Sequence, residues 1–362
     1  MNKERAALSR ARRVVVKIGS RSLAADSEAP RLLAEDVAQL RQADRSVVLV
    51  SSGAIAIGCA RLGYRTRPRE MAKLQAAAAA GQSVLMRRYD EAFGERGLTV
   101  AQVLLTHADL ADRERLNNAR EALAALLEAG AVPVVNENDT VATDEIRFGD
   151  NDQLASMVVP LVGADLLVLL TDVEGVLDPQ GRRIPVMTEK SSIGSVPSTG
   201  ERLGSGGMAS KLDAAEKARR SGATVVIASA KQPRVLSEVM AGKDVGTLFP
   251  RLGEPLRARK HWIAYTLRPK GTLLLDAGAV RAVQGGKSSL LPVGVLGVRG
   301  DFRPGDAVRL VDANGAEVGR GLTRLGAVEV ARAAGLKGRE LELVAGSDDL
   351  VVVHKDDLVL AP

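Results

Sequence analysis

Residues 134–152 read VVNENDTVATDEIRFGDND, and this stretch decides how the chain is read. An apolar run from Ala131 to Val135 breaks abruptly into amides and carboxylates. Asp139, Asp144, Glu145, Asp150 and Asp152 then fall within fourteen residues, offset only by Arg147. A solvated acidic loop is one explanation. The other is that the polar cluster begins where a buried strand ends, which is where ligands bind in open α/β sheets. The stretch therefore points to a polar substrate site on strand ends, with a bound metal as one way to use the carboxylates.

Working outward, similar aliphatic runs recur at Val14–Ile18, Val47–Val50, Val100–Leu105, Val132–Val135, Leu166–Leu170 and Thr224–Ala228. They are nearly continuous in apolarity, without alternation, as strands covered on both faces require. Between them, Pro30–Gln42, Glu70–Phe93, Leu110–Glu128, Asn151–Val162 and Ala209–Ser221 are rich in Ala, Leu, Glu and Arg and read as helices. The run Ala76–Ala80 predicts a helix packed closely on the sheet. Strand and helix in alternation give an α/β domain with a mainly parallel sheet.

The pattern weakens after Lys231, although 233–241 still reads as a short helix. Arg251–Lys270 is basic and contains Pro255, Trp262 and Pro269, so the expected division is a domain over 1–262, a linker over 263–270 and a second domain over 271–362. Short strands are expected there at Gly271–Leu275, Leu290–Pro292, Gly294–Val298, Ala307–Val311, Glu317–Leu322 and Asp349–Val353. Arg303-Pro-Gly-Asp and Asp312-Ala-Asn-Gly are turn signals between them. These features predict a small β-rich barrel or roll.

Composition narrows the function. The 362 residues are 46% hydrophobic but only 2% aromatic, so the core is aliphatic and few rings are present to stack bases. The single Cys59 excludes an intramolecular disulfide and reads as core filling. His107, His261 and His354 lack metal-ligand spacing. The run after the basic N-terminus is too short for a signal segment, and no run of eighteen apolar residues is present. A cytoplasmic protein is expected. The net charge of +6 resides mostly in the first 262 residues, because from Ile263 onward thirteen Lys/Arg face twelve Asp/Glu. An anionic small substrate accounts for this excess as well as nucleic acid does.

Several strand ends carry residues able to do chemistry. Lys17 stands within Val and Ile and is followed by Gly19. A buried ammonium needs a partner, and glycine lets backbone amides approach a ligand closely; a snorkelling lysine is the alternative. Ser51-Ser52-Gly53-Ala54-Ile55 is a small-residue turn suited to an anion. Thr171-Asp172 ends the fifth strand, where Asp172 can hold a ribose hydroxyl or a metal, or merely form a turn. Gly204-Ser205-Gly206-Gly207-Met208-Ala209-Ser210-Lys211 enters a helix and reads as a phosphate cradle or a glycine-rich lid, without Walker A spacing. Together, cationic neutralisation and small-residue loops suit phosphoryl transfer.

These residues resemble the bacterial glutamate 5-kinases of the amino acid kinase superfamily. The matching stretches are Val14-Val-Val-Lys-Ile-Gly19, Ser51-Ser-Gly-Ala-Ile55, Asn136-Glu-Asn-Asp139, Phe148-Gly-Asp-Asn-Asp152, Leu170-Thr-Asp-Val173 and Ser205-Gly-Gly-Met-Ala-Ser-Lys211. Ser288-Ser-Leu-Leu-Pro292 looks like the signature of a PUA domain. The resemblance implies a three-layer αβα sandwich with a C-terminal PUA domain. It also implies ATP and Mg²⁺ as cofactors, L-glutamate as acceptor, feedback inhibition by proline and a homodimer or homotetramer.

By the same resemblance, ATP is expected at Lys17, Gly19, Thr171, Asp172 and the segment Ser205, Gly206, Gly207, Met208, Ala209, Ser210 and Lys211. Glutamate is expected at Ser52, Gly53, Asp139 and Asn151. Lys17, Lys211 and Asp152 are the expected catalytic group, with Asp150 nearer substrate or Mg²⁺. Ser205 stands where the family commonly has Thr. Other acid kinases of the superfamily, acting on aspartate or N-acetylglutamate, and an RNA-binding accessory protein acting through the PUA domain are the alternatives.

Overall fold

The structure is a computed structural model that describes residues 3–20, 23, 28–142, 151–188, 207–347 and 350–361. The chain divides into two compact units, Met1–Pro255 and Leu256–Pro362. The first is built on β1 (Arg13–Ile18), β2 (Ser46–Ser51), β3 (Val100–Leu105), β4 (Val132–Glu137), β5 (Leu166–Thr171), β6 (Thr224–Ser229) and β7 (Thr247–Phe249). Their order is β3-β4-β2-β1-β5-β6-β7. All neighbours are parallel except the short edge strand β7, which runs antiparallel to β6.

Each face of the sheet has its own core, which explains the continuous apolarity of the strands. On one face, Val14, Val16, Val47, Leu49, Val132 and Val134 pack with helices Ala29–Gln42, Met71–Gly94 and Val235–Met240. On the other, Val15, Val48, Val50 and Val135 pack with Arg113–Glu128, Asn151–Val162 and Met208–Arg220. The unit is thus a three-layer αβα sandwich.

The alanine run packs differently from the sequence expectation. Ala77 and Ala78 bury against Ile55 and Cys59 of helix Ala54–Arg61, while Leu85, Tyr89 and Phe93 of the same long helix reach the sheet-side core. Small residues are needed because the two helices nearly touch. A Cβ on Gly81 would lie 1.8 Å from the Ala54 carbonyl oxygen, and one on Gly58 would lie 1.7 Å from that of Ala77. Gly81→Val is therefore expected to destabilise the fold by about 3 kcal/mol through overpacking. Chemical denaturation checks this, and an unchanged midpoint contradicts the proposed tightness of the seam.

The second unit contains β8 (Gly271–Leu275), β9 (Val295–Gly300), β10 (Ala307–Val311), β11 (Glu317–Thr323) and β12 (Val353–Leu360), ordered β12-β11-β10-β8-β9. Both turn signals form turns. Gly315 N–H donates to the Asp312 carbonyl at 3.0 Å, and Asp306 N–H donates to that of Arg303 at 3.0 Å. The last strand lies later than expected, at Val353–Leu360 rather than 349–353; Asp349 itself is outside the described residues. Leu290 makes only an isolated bridge to Val353, and Pro292–Gly294 turns as a 3₁₀ segment instead of continuing a strand. Helices Ala277–Gln284, Ala327–Ala333 and Gly338–Ala345 add to the strands. Helix Ala258–Tyr265 also packs within this unit, because Ile263 is fully buried with Ala307, Leu322 and Val359. The unit therefore begins before the stretch read as a linker.

Candidate active site

The pleat of the sheet decides which side chains meet. Val14, Val16 and Ile18 of β1 face one core, so Val15 and Lys17 face the other. That second face carries the helices Asn151–Val162 and Met208–Arg220. Lys17 Nζ lies 2.5 Å from Asp152 Oδ1, and Lys211 Nζ donates to Asp152 Oδ2 at 2.9 Å. All three side chains are buried, Asp152 completely.

Two ammonium groups thus share one carboxylate. Burial alone raises the Asp152 pKa, but the charges and hydrogen bonds of Lys17 and Lys211 outweigh it and hold the carboxyl below its ordinary range. Among the described residues, these two cations and one carboxylate carry a net positive charge in a dry setting. Such an arrangement is suited to an anion with charge spread over several oxygens. The switch of strand order also falls here, because β1 connects onward to β2 on one side while its other neighbour β5 connects onward to β6.

The opposite face of the same strand ends carries amides and hydroxyls. Ser51 on β2 and Asn136 on β4 follow Leu49 and Val134 by two residues and share their face. Ser51 Oγ is 2.9 Å from the Tyr89 hydroxyl. Asn151 Nδ2 donates to the Ser51 carbonyl at 2.7 Å, Ser52 Oγ at 2.9 Å and Asn136 Oδ1 at 3.0 Å. Asn151 and Asp152 are consecutive at the start of one helix, so a single turn joins the amide cluster to the lysine cluster. Gly53 adopts φ 102°, a left-handed conformation at the N-cap of helix Ala54–Arg61.

Asp139 lies beyond β4 and is half-buried; burial pushes its pKa up to about 6, against the pull of the Arg67 charge. Ala142 packs among Ile55, Cys59 and Leu74, and its carbonyl accepts from Gln75 Nε2 at 3.2 Å, which ties this loop to the helix pair. Thr171 is buried at the end of β5 and its hydroxyl donates to Asp172 Oδ1 at 3.1 Å; Asp172 is exposed. Gly19 follows β1, and among the described residues a Cβ there would meet only the Leu170 carbonyl oxygen at 4.0 Å, so packing against them does not demand glycine. Gly207 caps helix Met208–Arg220, whose first turn holds Met208, Ala209, Ser210 and Lys211. Asp150, Ser205 and Gly206 lie outside the described residues.

Residues 12–229 match the amino acid kinase family, and 271–344 match the PUA domain. A glutamate 5-kinase of Chromohalobacter salexigens is 48% identical across 98% of this chain and 98% of its own. The glutamate 5-kinase of Gloeobacter violaceus is 49% identical over 96% and 98%. The chain belongs to the glutamate 5-kinases of the amino acid kinase family. The N-acetylglutamate synthase of Neisseria gonorrhoeae, solved with coenzyme A and N-acetyl-glutamate, shares the fold at a TM-score of 0.52 and 19% identity, covering 70% of this chain and 63% of that one.

Within this family assignment, three residues of the cluster lie beyond those expected from the sequence: Asn136, Gln82 and Tyr89. Asn136 opens the Asn-Glu-Asn-Asp stretch, of which the sequence assigns a role to Asp139 alone. Gln82 and Tyr89 lie in the long helix Met71–Gly94, where the spacing signals packing and nothing more. An asparagine directly after the last valine of an apolar strand run is the available clue.

Proposed function

We propose that this chain transfers the γ-phosphoryl group of ATP to the side-chain carboxylate of L-glutamate, giving L-glutamyl 5-phosphate and ADP in the first step of proline biosynthesis. The observation that carries the reading is the buried Lys17–Asp152–Lys211 group next to Asn151. A glutamate side chain has a reference pKa of about 4.3 and is already ionised at neutral pH. The attacking oxygen therefore needs no general base. Lys17 and Lys211 neutralise the transferring phosphoryl oxygens and the leaving phosphate, while Asp152 orients both ammonium groups.

Ser52, Gly53, Asp139 and Asn151 hold the acceptor. Gly19, Thr171, Asp172 and the segment from Ser205 to Lys211 hold the nucleotide. Mg²⁺ bound with the nucleotide would neutralise part of the phosphate charge. Asp152 is a poor ligand for that ion because both of its oxygens are engaged by ammonium groups. Asp150 is the carboxylate we assign to it. Trapping the acyl phosphate with hydroxylamine, using ATP with glutamate, aspartate or N-acetylglutamate in turn, tests the assignment. Product from glutamate alone is the expected result.

Asp139 gives the reaction a pH signature. Its carboxylate pairs with the α-ammonium of glutamate, so protonation weakens binding. With a pKa of about 6, only about one tenth is ionised at pH 5. Below pH 6, kcat/KM for glutamate should fall about tenfold per pH unit. Asp139→Asn should start from a low value and lose this slope. A wild-type profile flat from pH 8 to 5 would remove Asp139 from the amino-acid site.

No helix among the described residues is long and apolar enough to cross a membrane. A cytoplasmic enzyme, inhibited by proline and assembled as a homodimer or homotetramer, is the form we propose. Repeating the hydroxylamine assay with proline, and measuring mass in solution, tests these parts separately.

A further inference from the structure

The amide cluster contains a polarity that extends beyond the residues assigned to substrate. Two backbone groups fix it. The Ser51 carbonyl can only accept, so the Asn151 side-chain atom 2.7 Å away is the nitrogen. The Glu137 N–H can only donate, so the Asn136 atom 2.9 Å away is the oxygen. Asn136 Oδ1 then also accepts from Asn151 Nδ2 at 3.0 Å, and its own nitrogen donates to Gln82 Oε1 at 2.8 Å. The chain of amides runs one way, from Asn151 through Asn136 to Gln82.

One end of this chain is left open toward a ligand. Asn151 Oδ1 is buried and has no hydrogen-bond partner among the described residues, and the whole residue is only 7% exposed. Its nitrogen is held by three acceptors, so rotation of the amide would set its oxygen against the Ser51 carbonyl. An unpaired buried acceptor is costly unless a donor arrives. The α-ammonium of the acceptor amino acid is such a donor.

We propose that Gln82 is a positioning residue for the acceptor. By accepting from Asn136 Nδ2 it holds Asn136 in the orientation that engages Asn151 Nδ2, and so keeps Asn151 Oδ1 available to the substrate ammonium. This deepens the glutamate reading above and rests on it. Gln82 follows Gly81, whose close approach to Ala54 holds the helix in place and with it the reach of Gln82 to Asn136 on β4.

The experiment compares Gln82→Met, Gln82→Ala and Gln82→Glu in the full chain, with kcat and KM for glutamate and ATP and the thermal midpoint of each. Met and Ala remove the acceptor, whereas Glu keeps one for Asn136. The expected result is a rise of about tenfold or more in KM for glutamate with Met and Ala, the loss tied to one hydrogen bond. KM for ATP should stay within about twofold, and Gln82→Glu should recover most of the glutamate affinity. An unchanged glutamate KM in Met or Ala, a parallel rise for ATP, or a Glu variant as weak as Met would overturn the assignment. If Met alone fails to fold, Ala, a good helix former, carries the same comparison. An unaltered chain unable to phosphorylate glutamate overturns the proposed function itself; an active chain insensitive to Gln82 overturns only this step.

Discussion

Replacing Lys17 or Lys211 by alanine is expected to lower kcat about a thousandfold while leaving KM for glutamate within about threefold. Removing one preorganised charge aimed at developing negative charge typically costs about 10²–10³ in rate. Both ammonium groups are buried and held by Asp152, so each acts in a water-poor setting and needs no reorganisation at the moment of transfer. The split between kcat and KM follows from position. The lysines meet Asp152 on the face with Val15, whereas Asn151, the amide proposed to hold the acceptor, turns to Ser51 and Asn136, which share the face of Leu49 and Val134. Arginine should rescue poorly, because a planar guanidinium cannot occupy the compact space of an ammonium shared with one carboxylate. Steady-state kinetics by the hydroxylamine assay decide the matter. Turnover equal to the unaltered chain in either alanine variant would end the catalytic assignment of that lysine.

Much of this site was legible because charge stands out in apolar runs. Lys17 among valines and the acidic stretch after Val135 each break a pattern that only a strand end tolerates. The expected strand at 132–135 was nevertheless too short: β4 runs to Glu137 because Gln82 and Asn151 satisfy the Asn136 amide within the strand. No spacing rule announces such a partner fifty-four residues away. Likewise, the alanine run correctly signalled close approach but not what was approached; helix Ala54–Arg61, with its own Gly58, fills that role.

The second unit was harder to read for a related reason. Its last strand carries His354, Lys355, Asp356 and Asp357 in its middle, a sequence that looks like a turn. At an edge position Lys355 and Asp356 face solvent and protect the sheet from further pairing, while Asp357 pairs with Arg259 at 2.6 Å, so a polar strand is physically sound. The apolar run Val351–Val353 drew the expected strand too early. The beginning of the unit was obscured in the opposite way. Trp262 and Ile263 sit within a basic, proline-bounded stretch that resembles a linker, yet Ile263 is fully buried.

The other large effect is expected at Asp152, where a single substitution should damage both catalysis and folding. Asp152→Ala leaves Lys17 and Lys211 as neighbouring buried cations without their shared counter-charge. Breaking a buried ion pair by removing one partner typically costs about 3–5 kcal/mol. Asp152→Asn retains the shape and one acceptor oxygen, so it should fold better than Ala while still failing to neutralise two ammonium groups. Its turnover should fall about as far as that of the lysine variants, since the lysines lose the anchor that aims them. The pH dependence supplies the sign. The folded carboxyl titrates below its reference value of 3.8, so its stabilisation is fully present above that value and is lost as pH falls through the folded pKa. The stability difference between the unaltered chain and Asp152→Asn should therefore be constant from pH 7 to 5 and shrink below about pH 4. Denaturation midpoints across that range measure it. A difference that grows as pH falls would mean that Asp152 is not the charge holding the two lysines in the folded state.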